Sequence, residues 1–202
     1  MAELDWIKKG YKIIDNFFTK EELEILQFYT LKKLEDDKTY ILDPDTASPG
    51  WYKDALASTF LHLKKPLVEK ASGYKLFPTY TYWRYYCFGG QLTKHTDRPS
   101  CEISITANIK SNDKWPIVVE GRSIDLKEGQ AVLYLGCIAE HWRPGKYKGE
   151  GMAQVFLHYV NVDGPFAHHN NDYYFYATDN ISSKDDEKKI RELKKKFKEN
   201  NK

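Results

Sequence analysis

Cysteine is scarce in this chain: Cys87, Cys101 and Cys137 are the only three in 202 residues. An odd number at unrelated spacings builds neither a disulfide framework nor a zinc knuckle, and reads as free thiols in a reducing compartment. Long apolar runs are missing too, since no stretch approaches the roughly 20 residues that a membrane span needs. The opening MAELDWIKKG carries acids early and has no apolar core of signal-peptide length. Charge of one sign is also lacking: 31 basic and 29 acidic side chains leave a net charge of +2. Much of the basic charge sits in the C-terminal tail, so the remainder offers no basic track for nucleic acid. These absences predict a cytoplasmic protein with neither a nucleic-acid nor a membrane partner.

What the chain does have is aromatic mass, 15% of residues, alongside 41% apolar content. Its length suits one domain with a real core. Tyr11-Lys-Ile-Ile-Asp-Asn-Phe-Phe reads as a short strand or apolar lead-in. Thr19 followed by Glu22 makes a capping box that starts a helix running to about Leu34. Residues 36–52 read as a long loop, and a second helix is predicted over about Lys53–Ala71, closed by Ser72-Gly73.

From Leu76 the texture turns to strand. Thr79–Tyr86 is aromatic and β-rich, and Glu102–Lys110 alternates strictly between polar and apolar residues. Ile117-Val-Val, Ser123-Ile-Asp-Leu, Ala131–Leu135 and Gln154–Val160 follow, separated by Gly, Pro or charged turns. Two helices and then many short strands predict an α+β fold with helices on one side of an antiparallel sheet or barrel. Residues 1–182 are expected to form the single domain. Residues 183–202 form a charged C-terminal helix with a thin stripe at Ile190, Leu193 and Phe197, docked loosely or frayed.

The chemistry concentrates at His95-Thr96-Asp97. On a strand, residues two apart share a face, so an imidazole and a carboxylate aim at one point. A third ligand from a later strand would complete the two-histidine, one-carboxylate facial triad of non-haem iron oxygenases, which leaves positions open for a cosubstrate and O₂. His141, after the Gly-bounded end of the strand at 131–135, is the favoured third ligand, and His158 is its rival. Ser104, Thr106 and Asn108 form the polar side of an interior strand, which suits a wet pocket. His168-His169-Asn170-Asn171-Asp172 is a polar loop, with a second metal site as the minor alternative.

The stretch Tyr86-Cys-Phe-Gly-Gly-Gln-Leu-Thr-Lys-His95-Thr-Asp97 resembles the 2-oxoglutarate/Fe(II) oxygenases, particularly their prolyl 4-hydroxylase-like branch. There a Tyr, a Gly-Gly-Gln turn and His-X-Asp occur at this spacing. Residues 76–162 resemble that family's catalytic core, and Ile13–Glu22 its entry into the first helix. The resemblance implies a double-stranded β-helix (jelly-roll) with N-terminal helices bracing one sheet. It also implies Fe(II) held by His95, Asp97 and His141, 2-oxoglutarate as cosubstrate, and ascorbate as a candidate accessory. Tyr86 falls where the family's Tyr bonds the cosubstrate. With Asp97 present, hydroxylation is expected rather than halogenation.

One departure stands out. The family usually carries an Arg or Lys nine or ten residues after the distal His, to clamp the far carboxylate of 2-oxoglutarate. Here those positions are Glu150 and Gly151. Arg143, two past His141 and of the same strand parity, is the preferred substitute. Arg84, two before Tyr86, comes next, and Asn108 borders the same pocket. Arg98 has the opposite parity and is expected to pair with an acid such as Glu102 or to reach substrate. Trp142, His158, Trp51, Tyr52 and the 163–176 segment are candidate substrate contacts, for a peptidyl proline or a small molecule such as an amino acid. The competing expectation is a non-catalytic, metal-binding jelly-roll or cupin-like protein.

Overall fold

Local signals start and stop the helices. The Thr19 amide donates to Glu22 Oε2 (2.8 Å) and the Glu22 amide to Thr19 Oγ1 (3.2 Å), closing the capping box ahead of α2 (Lys20–Asp36). Asp54 caps α3 (Ala55–Ser72) by accepting from the Ala57 amide at 3.0 Å. Gly73 ends it at φ 80°, where a side chain would be strained. The computed structural model describes residues 5–36, 39–43, 46–172 and 182–200.

The other elements are α1 (Asp5–Lys9), β1 (Tyr11–Ile14), β2 (Ile41–Asp43), β3 (Ser48–Tyr52), β4 (Leu76–Cys87), β5 (Leu92–His95), β6 (Ile103–Ser111), β7 (Ile117–Val119) and β8 (Arg122–Ile124). They continue with β9 (Ala131–Tyr134), β10 (His141–Arg143), β11 (Gly151–Asn161) and α4 (Lys184–Asn200), with single 3₁₀ turns at Pro99–Cys101 and Ala167–His169. The strands make two antiparallel sheets, ordered β1-β9-β6-β11-β4-β3-β2 and β5-β10-β7-β8. Helices and antiparallel sheets in one core give the α+β class.

Side-chain parity divides the large sheet into two faces. Trp83, Ile105, Ala107, Leu133, Val155 and Leu157 join Phe17, Phe18, Leu26, Phe60 and Leu61 in one apolar cluster, so α2 and α3 cover that face. The alternate residues turn the other way. Val132 and Tyr134 pack on Ile117 and Val119 of the small sheet, and Tyr86 and Met152 on Trp115 and Leu92. A polar cavity lies between the sheets on this second face.

Two stretches differ from the sequence expectation. Residues 36–52 hold the β2–β3 hairpin, which extends the large sheet beyond β4. Asp, Thr, Ser and Pro crowd this stretch and mask three-to-five-residue strands that only gain pairing from β4. Gly50 is required there, because a Cβ would fall 1.8 Å from Tyr82 Oη. The C-terminal helix is docked: Ile190 and Leu193 pack on the main core, and Phe197 is buried in it.

Candidate active site

Register brings the pieces together. β5 and β10 run antiparallel with His95 directly opposite His141, and their ring centroids lie 4.3 Å apart. Asp97 follows β5, its amide bonded to the Gly136 carbonyl (2.9 Å). Gly136 is tightly enclosed, since a Cβ there would sit 2.3 Å from Ser104 Oγ and 2.7 Å from Asp97 Oδ2. His95 Nε2 and His141 Nε2 approach the same oxygen, Asp97 Oδ1, at 3.5 and 3.4 Å.

The second nitrogen of each imidazole is already committed. His95 Nδ1 faces the Thr93 carbonyl at 2.7 Å and His141 Nδ1 the Ala139 carbonyl at 2.9 Å. A carbonyl only accepts, so both Nδ1 atoms carry the proton and the neutral rings present bare Nε2 lone pairs. Two such lone pairs and a carboxylate oxygen converging on one point repel each other unless a cation lies between them. Backbone-fixed tautomers of this kind are the usual outer support of metal-binding histidines. Burial alone would raise the Asp97 carboxyl, yet the facing imidazoles of His141 and His95 hold it well below the ordinary carboxylate range, the same preference for an anion here that a cation between the three groups would reinforce. For His95, burial pulls the pKa down and Asp97 more than reverses it, leaving it raised.

Asp97, Cys101 and His158 also lie within ligand range of one another. Two observations count against that set. Cys101 Sγ lies 3.1 Å from the Tyr80 hydroxyl, and burial pushes its thiol far from thiolate formation. His158 Nδ1 is engaged by Ser104 Oγ at 3.0 Å. The donor set of His95, Asp97 and His141 is the better fit to a divalent iron.

Beside the triad opens a cavity of about 370 Å³. Tyr52, Tyr80, Tyr82, Phe156 and His158 make much of its wall, with Arg84, Arg98, Tyr86 and Tyr134 contributing. The arginines behave differently. Arg84 pairs with Asp43 at 2.5 Å and takes the Tyr82 hydroxyl at 3.0 Å. Arg98 pairs with Asp172 at 2.8 Å, not with Glu102, whose carboxylate instead accepts the Asn161 amide. Arg143 is buried, donates to the Trp115 carbonyl and to Gln154 Oε1, and has no carboxylate partner among the described residues.

Arg143 therefore stands as a buried cation facing several unmet polar atoms. Its own Nε, Tyr86 Oη and Gln154 Nε2 lack a hydrogen-bond partner and can each donate to an anion. Burial lowers the pKa of the guanidinium, opposed by Tyr86 and Tyr134. A stranded charge of this kind costs several kcal/mol, which an anion seated against Arg143 and Tyr86 would recover. A dicarboxylate cosubstrate fits that deficit.

The remaining predicted residues fall in varied places. Asn108 is on the inner face but behind the cavity wall, its Nδ2 bonded to the Leu126 carbonyl (2.9 Å) and Ser111 Oγ (3.2 Å). Thr106 likewise lies behind the wall and meets Tyr134 Oη at 3.1 Å. Trp142 has the opposite parity to His141 and Arg143 and lies under Lys94 (4.7 Å), off the cavity wall. Trp51 is in the core beneath β3, while Tyr52 lines the cavity. Of the 163–176 segment, Asp172 reaches Arg98, and residues 173–176 lie outside the described residues. Sequence reading overlooked Tyr80, Tyr82 and Tyr134. Their signal was parity: they share the inward face of β4 and β9 with Arg84, Tyr86 and Val132.

No family model and no curated protein matches the chain. Solved structures do. The non-haem α-ketoglutarate-dependent epimerase SnoN of nogalamycin biosynthesis aligns over 76% of this chain and 77% of its own, with TM-score 0.63 and 10% identity. The Pseudomonas putida prolyl-4-hydroxylase aligns over 75% and 92%, with TM-score 0.61 and 11% identity. EctD from S. alaskensis, solved with 2-oxoglutarate and 5-hydroxyectoine, gives 76% and 72%, 0.60 and 15%. The chain has the jelly-roll fold of the 2-oxoglutarate/Fe(II) oxygenases. At these identities the likeness is one of fold.

Proposed function

We propose that the chain is a 2-oxoglutarate- and Fe(II)-dependent oxygenase that hydroxylates a C–H bond of a small-molecule or peptide substrate. The observation that carries this reading is the coincidence of two separate deficits along β5 and β10, on the side of the small sheet that meets the large one. One is the cation-shaped gap among His95 Nε2, His141 Nε2 and Asp97 Oδ1. The other is the buried guanidinium of Arg143, which has no carboxylate partner among the described residues and whose Nε is unmet, next to the unmet hydroxyl of the cavity residue Tyr86. A jelly-roll that merely binds metal explains the first gap and leaves a buried, unpaired guanidinium unexplained.

His95, Asp97 and His141 would hold the iron, and Arg143 with Tyr86 would hold the far carboxylate of the cosubstrate. Iron and 2-oxoglutarate together supply the oxidising power for C–H hydroxylation. The chain's own groups do the rest. The Thr93 and Ala139 carbonyls keep both imidazoles in the tautomer that offers Nε2. Ser104 Oγ, 3.5 Å from Asp97 Oδ2, steadies the carboxylate. Tyr52, Tyr80, Tyr82 and Phe156 shape a largely aromatic wall that orients substrate and limits water. Arg98, held by Asp172 and lying over Tyr80 (4.2 Å), gives that wall a cationic contact suited to an anionic group on the substrate.

The test is anaerobic titration of the Fe(II)-loaded protein with 2-oxoglutarate, following the weak visible charge-transfer band of the chelate. A saturable band in the wild type, absent in Asp97→Ala, supports the reading. Iron bound with no band at any 2-oxoglutarate concentration sinks it.

A further inference from the structure

Away from the cavity, a second set of ligand atoms gathers where the 3₁₀ turn Ala167–His169 meets the first turn of α4. His168 Nε2 lies 3.3 Å from Asp186 Oδ1, and His169 Nε2 lies 3.2 Å from Asp186 Oδ2. The two rings stand 4.2 Å apart between centroids. One ligand atom from each of the three residues falls within 4.8 Å of the other two.

The carboxylate is held in place by its own helix. Ser183 Oγ (2.9 Å) and the Ser183 amide (3.2 Å) both donate to Asp186 Oδ2, while the Asp186 amide returns a bond to Ser183 Oγ (3.1 Å). This reciprocal cap fixes the side-chain rotamer and leaves Oδ1 facing His168, while His169 Nε2 meets Oδ2. Asp186 is 1% exposed, and Oδ1 accepts no hydrogen bond. The His168 contact is thus close without being a hydrogen bond. His169 is pulled toward its neutral, ligating form by burial, against Asp186.

We propose that His168, His169 and Asp186 form a second metal site, for zinc or a similar divalent transition ion, independent of the oxygenase reading. Two imidazole nitrogens and one carboxylate oxygen suit such an ion, with water completing the shell. The site clips the 163–172 loop to the first turn of α4. Both partners run on to the catalytic region. Asp172, three residues past His169, pairs with Arg98 of the cavity wall. Farther along α4, Lys194 donates to Thr96 Oγ1 at 3.0 Å, between His95 and Asp97. Metal here fastens the segment that covers the back of the triad.

Zinc would also enter the triad, so the experiment counts equivalents. Full-length protein stripped with a chelator is titrated with Zn(II) against a chromophoric competitor. The set is the wild type, the pair His168→Gln/His169→Gln, the pair His95→Ala/Asp97→Ala, and all four together. The expected result is two equivalents, one, one and none. In His95→Ala/Asp97→Ala, zinc should also raise the melting temperature and slow trypsin cleavage within the Lys-rich α4. A single wild-type equivalent that disappears in His95→Ala/Asp97→Ala overturns the proposal. So does a second equivalent that persists in His168→Gln/His169→Gln. Should the glutamine pair fail to fold, the count and the zinc-induced shift in His95→Ala/Asp97→Ala decide alone.

Discussion

The two faces of the large sheet are made by the same strands and do opposite work. On β4, β6, β9 and β11, Trp83, Ile105, Leu133, Val155 and Leu157 point to α2 and α3 and are 0% exposed. Their immediate neighbours Tyr82, Arg84, Ser104, Thr106, Gln154 and His158 point to the other sheet and are equally removed from bulk solvent. One face is held by apolar contact, with only the indole nitrogens of Trp51 and Trp83 left without partners among the described residues. The other includes Arg84 Nε, Tyr86 Oη and Gln154 Nε2 among its buried atoms without partners, with Arg143 Nε across from them on β10. Buried polar groups are normally paired, so several unmet donors beside a buried cation mark where a ligand belongs. A period of two thus separates stability from chemistry within single strands.

Substitutions on either face should therefore fail in different ways. The largest effect is expected at the triad. Asp97→Ala should weaken Fe(II) retention by more than about 100-fold, because losing a mere outer-shell partner already costs 10–100-fold. Metal analysis after gel filtration reads this, and unfolding should be little changed. Leu157→Ala, on the dry face, should instead cost about 2–5 kcal/mol in urea unfolding with metal binding intact. A Leu157→Ala protein of wild-type stability would break the division.

Arg143→Met should move stability the other way. Removing a buried charge with no ionic partner relieves its desolvation penalty, which offsets the two hydrogen bonds lost at Trp115 and Gln154, so urea unfolding without cosubstrate should show stability unchanged or raised. A clear loss would mean that Arg143 serves the fold. Glu102 sharpens the comparison from outside both faces. Burial pushes its pKa up to about 7 from 4.5, against the hydrogen bond from the Asn161 amide. The folded state then binds a proton that the unfolded state has released. Stability from this group is full below about pH 4.5 and falls as pH rises towards 7, by about 1–3 kcal/mol. Glu102→Gln should flatten that slope in melting curves between pH 4.5 and 7.5.

Much of this arrangement was legible in the sequence. The Thr19–Glu22 box, the Ser72-Gly73 stop and the alternation over Glu102–Lys110 are local signals that need no partner to read. His95-Thr96-Asp97 led to residues that the fold brings together with His141, although Asp97 lies just past the end of β5 and is placed by its amide bond to Gly136 rather than by strand parity. Pairing information is not local. β2 and β3 gain their strand character from β4, so they read as loop. Trp142 looked like a substrate contact because a lone strand carries no sign of which side faces in, which only the register with β5 and β7 supplies. The aromatic cavity wall was hidden for a related reason: in Thr79–Tyr86 both faces are aromatic, so composition alone could not separate core from cavity.

The most direct test is the affinity of the Fe(II)-loaded, anaerobic protein for 2-oxoglutarate, measured by calorimetry in the wild type, Arg143→Met and Arg84→Met. Truncating one partner of a buried charge pair costs about 2–5 kcal/mol, so Arg143→Met should bind at least about 30-fold more weakly. Arg84, already paired with Asp43, should change the affinity by only a few-fold when replaced. Wild-type affinity in Arg143→Met, or a loss confined to Arg84→Met, would contradict the assignment of the inner face as the cosubstrate face centred on Arg143.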